Sequence, residues 1–189
     1  MSEMLKIDTT TGFVAEENAP YKVLHETFTG LLQTMPEFDV SKLPNSVTNN
    51  IITNMKMTLK QYGAIGLAAN QVGILERFFI IGTDQFQMVC FNPKVISRTA
   101  DLKKDKEFCL SHPGLAVTID RPSGIDVEFY NENGELQNVH LDGLTARCFL
   151  HELDHLNGIR MIDRVKPLAL QMAKKKQQKL IKNYVRKNK

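Results

Sequence analysis

The run His151-Glu152-Leu153-Asp154-His155 constrains this chain more than any other feature. Two histidines four apart share one helix face, with Cβ atoms ~5–6 Å apart, so two imidazoles can reach a single ion. A glutamate beside the first histidine can reach a water at that ion and take its proton. The flanks, Leu144-Thr145-Ala146-Arg147-Cys148-Phe149-Leu150 and Leu156-Asn157-Gly158, read as a largely buried helix, with Asp142 as N-cap and Gly158 as C-cap. The fold must therefore bury a helix that carries a polar, metal-competent face. The bland reading, two helical histidines that only pack, has no use for Glu152.

The third ligand separates the enzyme classes that share this spacing. The extended metalloprotease pattern matches at Gly158 but has Met161 where it needs a histidine. After His155 there is no His and no Glu, and Asp163 is the only acid. The third ligand should come from upstream, from His25, His112, His140, Cys90, Cys109 or Cys148. Cys109 stands out in Glu107-Phe108-Cys109-Leu110-Ser111-His112-Pro113-Gly114, a polar, turn-rich segment between strand-like stretches. Cys90 reads as a buried thiol in Met88-Val89-Cys90-Phe91. Cys148, three before His151, lines a pocket or packs. His112, ahead of Pro113-Gly114, is expected in an exposed turn. His140, in Val139-His140-Leu141, is expected to be structural or solvent-facing.

Three segments in fixed order resemble the peptide deformylase family. They are Ala64-Ile65-Gly66-Leu67-Ala68-Ala69-Asn70-Gln71, then Glu107-Phe108-Cys109-Leu110-Ser111, then His151-Glu152-Leu153-Asp154-His155. The resemblance runs from about Pro20 to Val165. Ala64 and Phe108 stand where the family has glycines; neither is a ligand or a proton-transfer group, and both bear on substrate fit. The resemblance implies removal of the formyl group from N-terminal formyl-methionine of new proteins. It implies one divalent ion on Cys109, His151 and His155, ferrous in vivo, with zinc, nickel or cobalt able to occupy the site. It implies Glu152 as proton carrier, and the Gln71 side-chain amide and Leu110 N–H as donors to the developing oxyanion. Glu107 would pair with Arg121, and Asp154 would support the site from behind the ligands. Ile65, Gly66, Phe108, Leu144 and Cys148 would border the methionine slot and the peptide path. Taken alone, Gln71 is a surface amide, Glu107 a solvated loop acid and Leu144 a core residue.

At 189 residues the chain suits one well-packed domain. No apolar stretch approaches the ~20 residues of a membrane span. The start, Met1-Ser2-Glu3-Met4-Leu5-Lys6, has no signal-peptide core or presequence pattern. Three cysteines, an odd count, suggest a reducing compartment, so a cytoplasmic enzyme is expected. Nine of the 24 basic side chains fall in residues 166–189, with no acid among them; residues 1–165 hold 15 basic and all 21 acidic side chains. An acidic body with a basic tail suggests an interaction segment. Leu170, Ala173, Leu180, Ile181 and Tyr184 fall near one helical face there, and the family resemblance implies the ribosome as its partner. We expect a catalytic domain over 1–165, with 1–20 as a mobile arm, and a basic C-terminal helix over 166–189. Nothing requires more than a monomer.

Between these segments, Ile51, Ile52, Met55, Leu59 and Tyr62 predict a helix over 41–62 capped by Gly63. Strand-like runs are 77–81, 87–91, 125–130 and 136–140, the last two flanking a hairpin turn at 131–135. The expected fold class is α+β, antiparallel strands packed around a central HExDH helix that bears the metal. Two competing functions remain: a metalloendopeptidase, for which the downstream ligand is missing, and a non-enzymatic ribosome- or RNA-binding module, which leaves Glu152 without a purpose.

Overall fold

The computed structural model describes residues 18–83 and 85–187, without the side chains of Tyr184 and Lys187. Helix α1 spans Ser46–Tyr62 and ends on Gly63 in the left-handed region (φ +61). It starts later than the Ser41 that the apolar spacing predicts. Pro44 disfavours helical backbone before it, leaving Leu43 extended (φ −97, ψ 145), and Val40–Lys42 form only a 3-10 turn. The Asn45 side chain then caps α1, accepting the Thr48 N–H at 2.9 Å.

Seven strands follow: β1 (Gly66–Ala68), β2 (Phe78–Thr83), β3 (Phe86–Arg98), β4 (Leu102–Phe108), β5 (Ala116–Pro122), β6 (Gly124–Tyr130) and β7 (Leu136–Asp142). Five form an antiparallel sheet in the order β1-β2-β3-β6-β7, and β4 and β5 form a separate two-stranded ribbon. The fold is thus mixed α and β with antiparallel sheets, as the sequence predicts. The ribbon is an addition. Its strand Leu102-Lys103-Lys104-Asp105-Lys106 is exposed throughout, so no alternation of burial marks it in the sequence. β3 also runs past the expected Phe91. It does so by way of register shifts near Asn92 (φ +48), whose side chain bonds both the N–H and the C=O of Phe38 at 2.8 Å.

Strand β2 and the middle of β3 are buried on both faces, whereas β6 and β7 expose Asp126 and His140. Phe78, Ile80, Val89 and Phe91 face α1 through Ile51, Ile52, Met55 and Leu59. Phe79, Ile81, Cys90, Val127 and Phe129 face helix α2 (Gly143–Leu156) through Phe149, Leu150, Leu153 and Leu156. This two-sided burial explains the unbroken apolar run Phe78-Phe79-Ile80-Ile81. Phe79 and Phe149 meet edge to face, centroids 5.0 Å apart. Each such buried side chain contributes about 1.5–3 kcal/mol, which is what holds the polar face of α2 in place. Asp142 is the N-cap of α2 by backbone, but its side chain makes no capping hydrogen bond. The C-cap is Asn157 rather than Gly158, which follows at φ +70.

A third apolar cluster joins Leu115, Val117 and Ile119 to Met161 and Ile162, with Leu170 and Ala173 of helix α3 (Pro167–Lys187) packed against it. The first turns of α3 therefore belong to the body, whereas Leu180 and Ile181 are exposed. The arm expected at 1–20 lies outside the described residues apart from Asn18, Ala19 and Pro20.

Candidate functional site

One face of α2, beside β1, carries Cys148, His151, Glu152 and His155, all buried. Strand β4 ends at Phe108 and delivers Cys109 against that face. The ligand atoms of Cys109, His151 and His155 lie within 4.8 Å of one another, the one such group of three among the described residues. Cys109 Sγ is 3.2 Å from His155 Nε2. Around an ion with bonds of ~2.0–2.3 Å, tetrahedral ligand atoms stand about 3.5 Å apart, so only small side-chain movements would close this set on one. His151 Nδ1 lies 2.9 Å from Glu107 Oε2, which leaves Nε2 for a ligand's role. One thiol and two imidazoles fit a divalent ion of zinc or iron type. Cys90, Cys148, His25, His112 and His140 do not join the group.

Glu152 is buried beside these ligands, and its Oε2 has no hydrogen-bond partner. Burial pushes its pKa up to about 7, against the pull of the His151 charge. Gly66 makes room for it. A Cβ there would overlap Glu152 Oε1 and lie 2.7 Å from Cys148 Sγ, so this position needs glycine for close approach. Cys148 donates its thiol to the Ile65 carbonyl at 3.3 Å. Burial first, and Glu152 next, push its pKa well up, which makes it a neutral wall of the site.

Gln71 sits in the 3-10 turn Ala69–Val72, which follows β1. Its Oε1 accepts the Ala68 N–H at 2.9 Å, which turns Nε2 towards Cys109 Sγ (3.5 Å) and Ser111 Oγ (3.2 Å). The amide is buried at 2% exposure, not the surface group that composition alone suggests. Asn70, to which the sequence assigns no role, donates to the His155 carbonyl at 2.7 Å and ties this turn to the end of α2.

Glu107 is the hub behind the ligands. Arg121 donates to both its oxygens (2.7 and 2.9 Å), Arg147 donates at 2.8 Å, and His151 Nδ1 completes the set. Burial alone would raise the Glu107 pKa, but the bonds from Arg121 and His151 outweigh it and hold the carboxyl well below the usual range. Asp154 accepts from Arg121 at 2.8 Å and from Arg164. Arg147 and Arg164 were not expected here: a helical arginine such as Arg147 carries no local sign of burial, and the exposed Arg164 reaches Asp154 from the turn at 161–164. Arg147 also donates to the carbonyls of Ile119 and Lys103 and so staples the ribbon to α2.

A cavity of about 510 Å³ opens over the ligands, bordered by Ile65, Gly66, Phe108, Leu110, Leu144 and Cys148. Leu144 is 65% exposed, which excludes a core role, and Phe108 is 68% exposed at the rim. His112 corrects the sequence reading. It is 3% exposed rather than in an open turn, and Glu26 Oε2 lies 2.8 Å from its Nδ1. His140 is exposed and pairs with Asp126 at 2.7 Å.

A family model described as polypeptide deformylase matches residues 29–171. Peptide deformylase of Thermotoga neapolitana is 38% identical over 125 residues, covering 66% of this chain and 76% of the relative. That of Aquifex aeolicus is 39% identical over 140 residues, covering 71% and 82%. Among solved structures, a peptide deformylase from Synechococcus elongatus in complex with actinonin superposes with a TM-score of 0.78 at 34% identity, over 87% of this chain and 91% of that one. Peptide deformylase from Thermotoga maritima superposes at 0.73 and 33% identity, over 78% and 99%.

Proposed function

The chain belongs to the polypeptide deformylase family, and from that premise we propose which residues carry each part of the reaction. Its activity is hydrolysis of the formyl group from the N-terminal formyl-methionine of newly made polypeptides, releasing formate. The observation that carries the assignment of roles is the convergence of the Cys109, His151 and His155 ligand atoms beside the unpartnered Glu152 Oε2, at the floor of an open cavity.

Cys109, His151 and His155 would hold one divalent ion, ferrous in vivo, with zinc, nickel or cobalt able to replace it. Such an ion supplies Lewis acidity and lowers the pKa of a coordinated water to about 7. Glu152 takes the water proton as the oxygen adds to the formyl carbon, and returns a proton to the amine as the carbon–nitrogen bond breaks. Gln71 Nε2 and the Leu110 N–H donate to the oxyanion that forms between these steps. Glu107 fixes the His151 ring, Arg121 and Arg147 fix Glu107, and Asp154 anchors Arg121. Gly66 gives Glu152 its room, while Ile65, Leu144 and Cys148 border the slot for the methionine side chain.

The test is formate release from short formyl-methionyl peptides by protein stripped with chelator and reloaded with Fe²⁺, Zn²⁺, Ni²⁺ or Co²⁺. We expect release only with metal, and Cys109→Ser to hold less metal because a neutral hydroxyl is a poorer ligand than a thiolate. Cleavage of internal bonds without formate would favour an endopeptidase. Full metal content in Cys109→Ser would require another third ligand.

Phe108 borders the cavity mouth and shapes the path of the peptide beyond methionine. Phe108→Gly should change KM, or the preference for residues after methionine, more than kcat. A large fall in kcat at unchanged KM and metal content would place Phe108 in the chemistry instead.

We assign residues 1–165 to the catalytic unit, with the first turns of α3 packed on it, and the exposed remainder of α3 to a basic tail that docks on the ribosome. Lys174, Lys175, Lys176, Lys179, Lys182 and Arg186 are exposed on α3 and suit RNA phosphate. Because Leu170 and Ala173 pack on the body, the informative deletion is 178–189. It should spare activity on short peptides and weaken ribosome co-sedimentation, the difference fading as salt rises. Equal co-sedimentation across a salt series would remove the tail from docking. No helix among the described residues is long and apolar enough to cross a membrane. With three free buried cysteines and a nascent-chain substrate, we place the enzyme in the cytoplasm, as a monomer, since one chain carries every residue assigned above.

A further inference from the structure

The two donors assigned to the oxyanion come from loops far apart in sequence, and a short segment ahead of both ties them together. The Leu24 N–H donates to the Gln71 carbonyl at 2.8 Å, and the Glu26 N–H donates to the Ser111 carbonyl at 2.9 Å. The Glu26 carboxylate adds a third bond, Oε2 to the buried His112 Nδ1 at 2.8 Å. Upstream, the same segment is pinned to α1 through the Tyr21 N–H and Thr58 Oγ1 at 2.8 Å. Downstream it enters the buried Gly30 and Leu31. It lies ahead of residues 29–171, which the family model matches.

We propose that residues 24–26 form a strap that sets the spacing of the two oxyanion donors, with Glu26 and His112 as its positioning residues. The proposal rests on the reading of Gln71 and Leu110 as those donors. The chemistry favours a positioning role over mere surface packing. Leu24 grips the backbone of Gln71 itself, and Glu26 grips the loop one residue past Leu110. A neutral imidazole bonded at Nδ1 to a carboxylate has its N–H fixed there, so the Cys109–His112 turn cannot rotate without breaking a charge-assisted hydrogen bond. Oxyanion stabilisation depends on donors held at the final oxygen position, and a misplacement of 1 Å can cost about 10²-fold in rate. Nothing in the strap touches the substrate cavity, so it acts only through the two loops.

The test is a cycle of Glu26→Ala and Gln71→Ala, with Glu26→Gln as the conservative control. Each is assayed on a short formyl-methionyl peptide well below its own Tm, with bound metal measured. Glu26→Ala should lower kcat about tenfold at nearly unchanged KM and metal content, less than the roughly 10²–10³ lost with a whole donor. Glu26→Gln, which still accepts from Nδ1, should recover most of it. In the Gln71→Ala background the further loss on Glu26→Ala should shrink, because part of what the strap positions is gone. Wild-type kcat in Glu26→Ala, a fall matched by lost metal, or the same fold loss in both backgrounds would overturn the strap. Wild-type kcat in Gln71→Ala alone would instead overturn the donor reading, and Glu26 plays no part in that measurement.

Discussion

Glu152→Gln should bind a full complement of metal and lose turnover by about 10²–10⁴-fold, the typical worth of a positioned proton carrier. The substitution keeps the shape of the side chain, so the space left by Gly66 still accommodates it. It removes only the capacity to take the water proton. In the wild type Oε2 has no protein partner to satisfy it, so this buried oxygen is available to the reaction. Because the loss affects the chemical step, kcat should fall while KM for the peptide stays close to its starting value. Metal content and formate release decide the matter, and a fully metallated variant that turns over at near wild-type rate would remove Glu152 from the mechanism.

Glu107→Ala should be the most destabilising single change in the site, at roughly 3–5 kcal/mol. It removes the carboxylate shared by two buried guanidinium groups, leaving Arg121 with Asp154 as its only carboxylate partner and Arg147 with backbone carbonyls alone, and it removes the acceptor of His151. The same loss should weaken metal affinity about 10- to 100-fold, since a ligating imidazole relies on the group bonded to its other nitrogen. The sign with pH follows from the lowered pKa. The folded-state value lies below the unfolded one, so the stabilisation is present above the ordinary carboxylate range. It is lost as pH falls through the folded value. Wild type should therefore hold stability into acid, whereas Glu107→Ala loses that contribution at neutral pH. Denaturant unfolding with parallel metal analysis tests this, and wild-type stability together with wild-type metal content would show that Glu107 is no hub.

These two residues differ in how far the amino-acid sequence reveals them. Glu152 is legible because its neighbours on the helix are local. Helical spacing sets His151 and His155 on one face within a single turn, whatever the rest of the chain does. The same holds for the run Phe78 to Ile81, the hairpin at 131–135 and the left-handed cap at Gly63. Glu107 is legible only through its place in an ordered motif, since nothing in Lys106-Glu107-Phe108 says that the acid is buried. Arg147 shows no sign at all. Its local pattern is that of any helical surface arginine, and only the ribbon of β4 and β5 folding over α2 buries it.

The misreadings have the same origin. Pro113-Gly114 indicates a turn, and the chain does turn there, but His112 is buried and pairs with Glu26, which is remote in sequence. The start of α1 moved because Pro44 acts on the residue before it, a restraint that apolar spacing does not register. What the sequence by itself determined here is whatever one turn of helix or one pair of strands can encode: the metal-competent face of α2, the alternation of the sheet and the basic charge of the tail. What only the tertiary structure decided is which remote groups meet: Cys109 with His155, Gln71 with Ser111, Glu107 with two arginines, and the strap with both loops. Periodicity records which side of an element is buried, but not what buries it. The partner is selected by the summed packing of the sheet and helices, to which each residue contributes only a little.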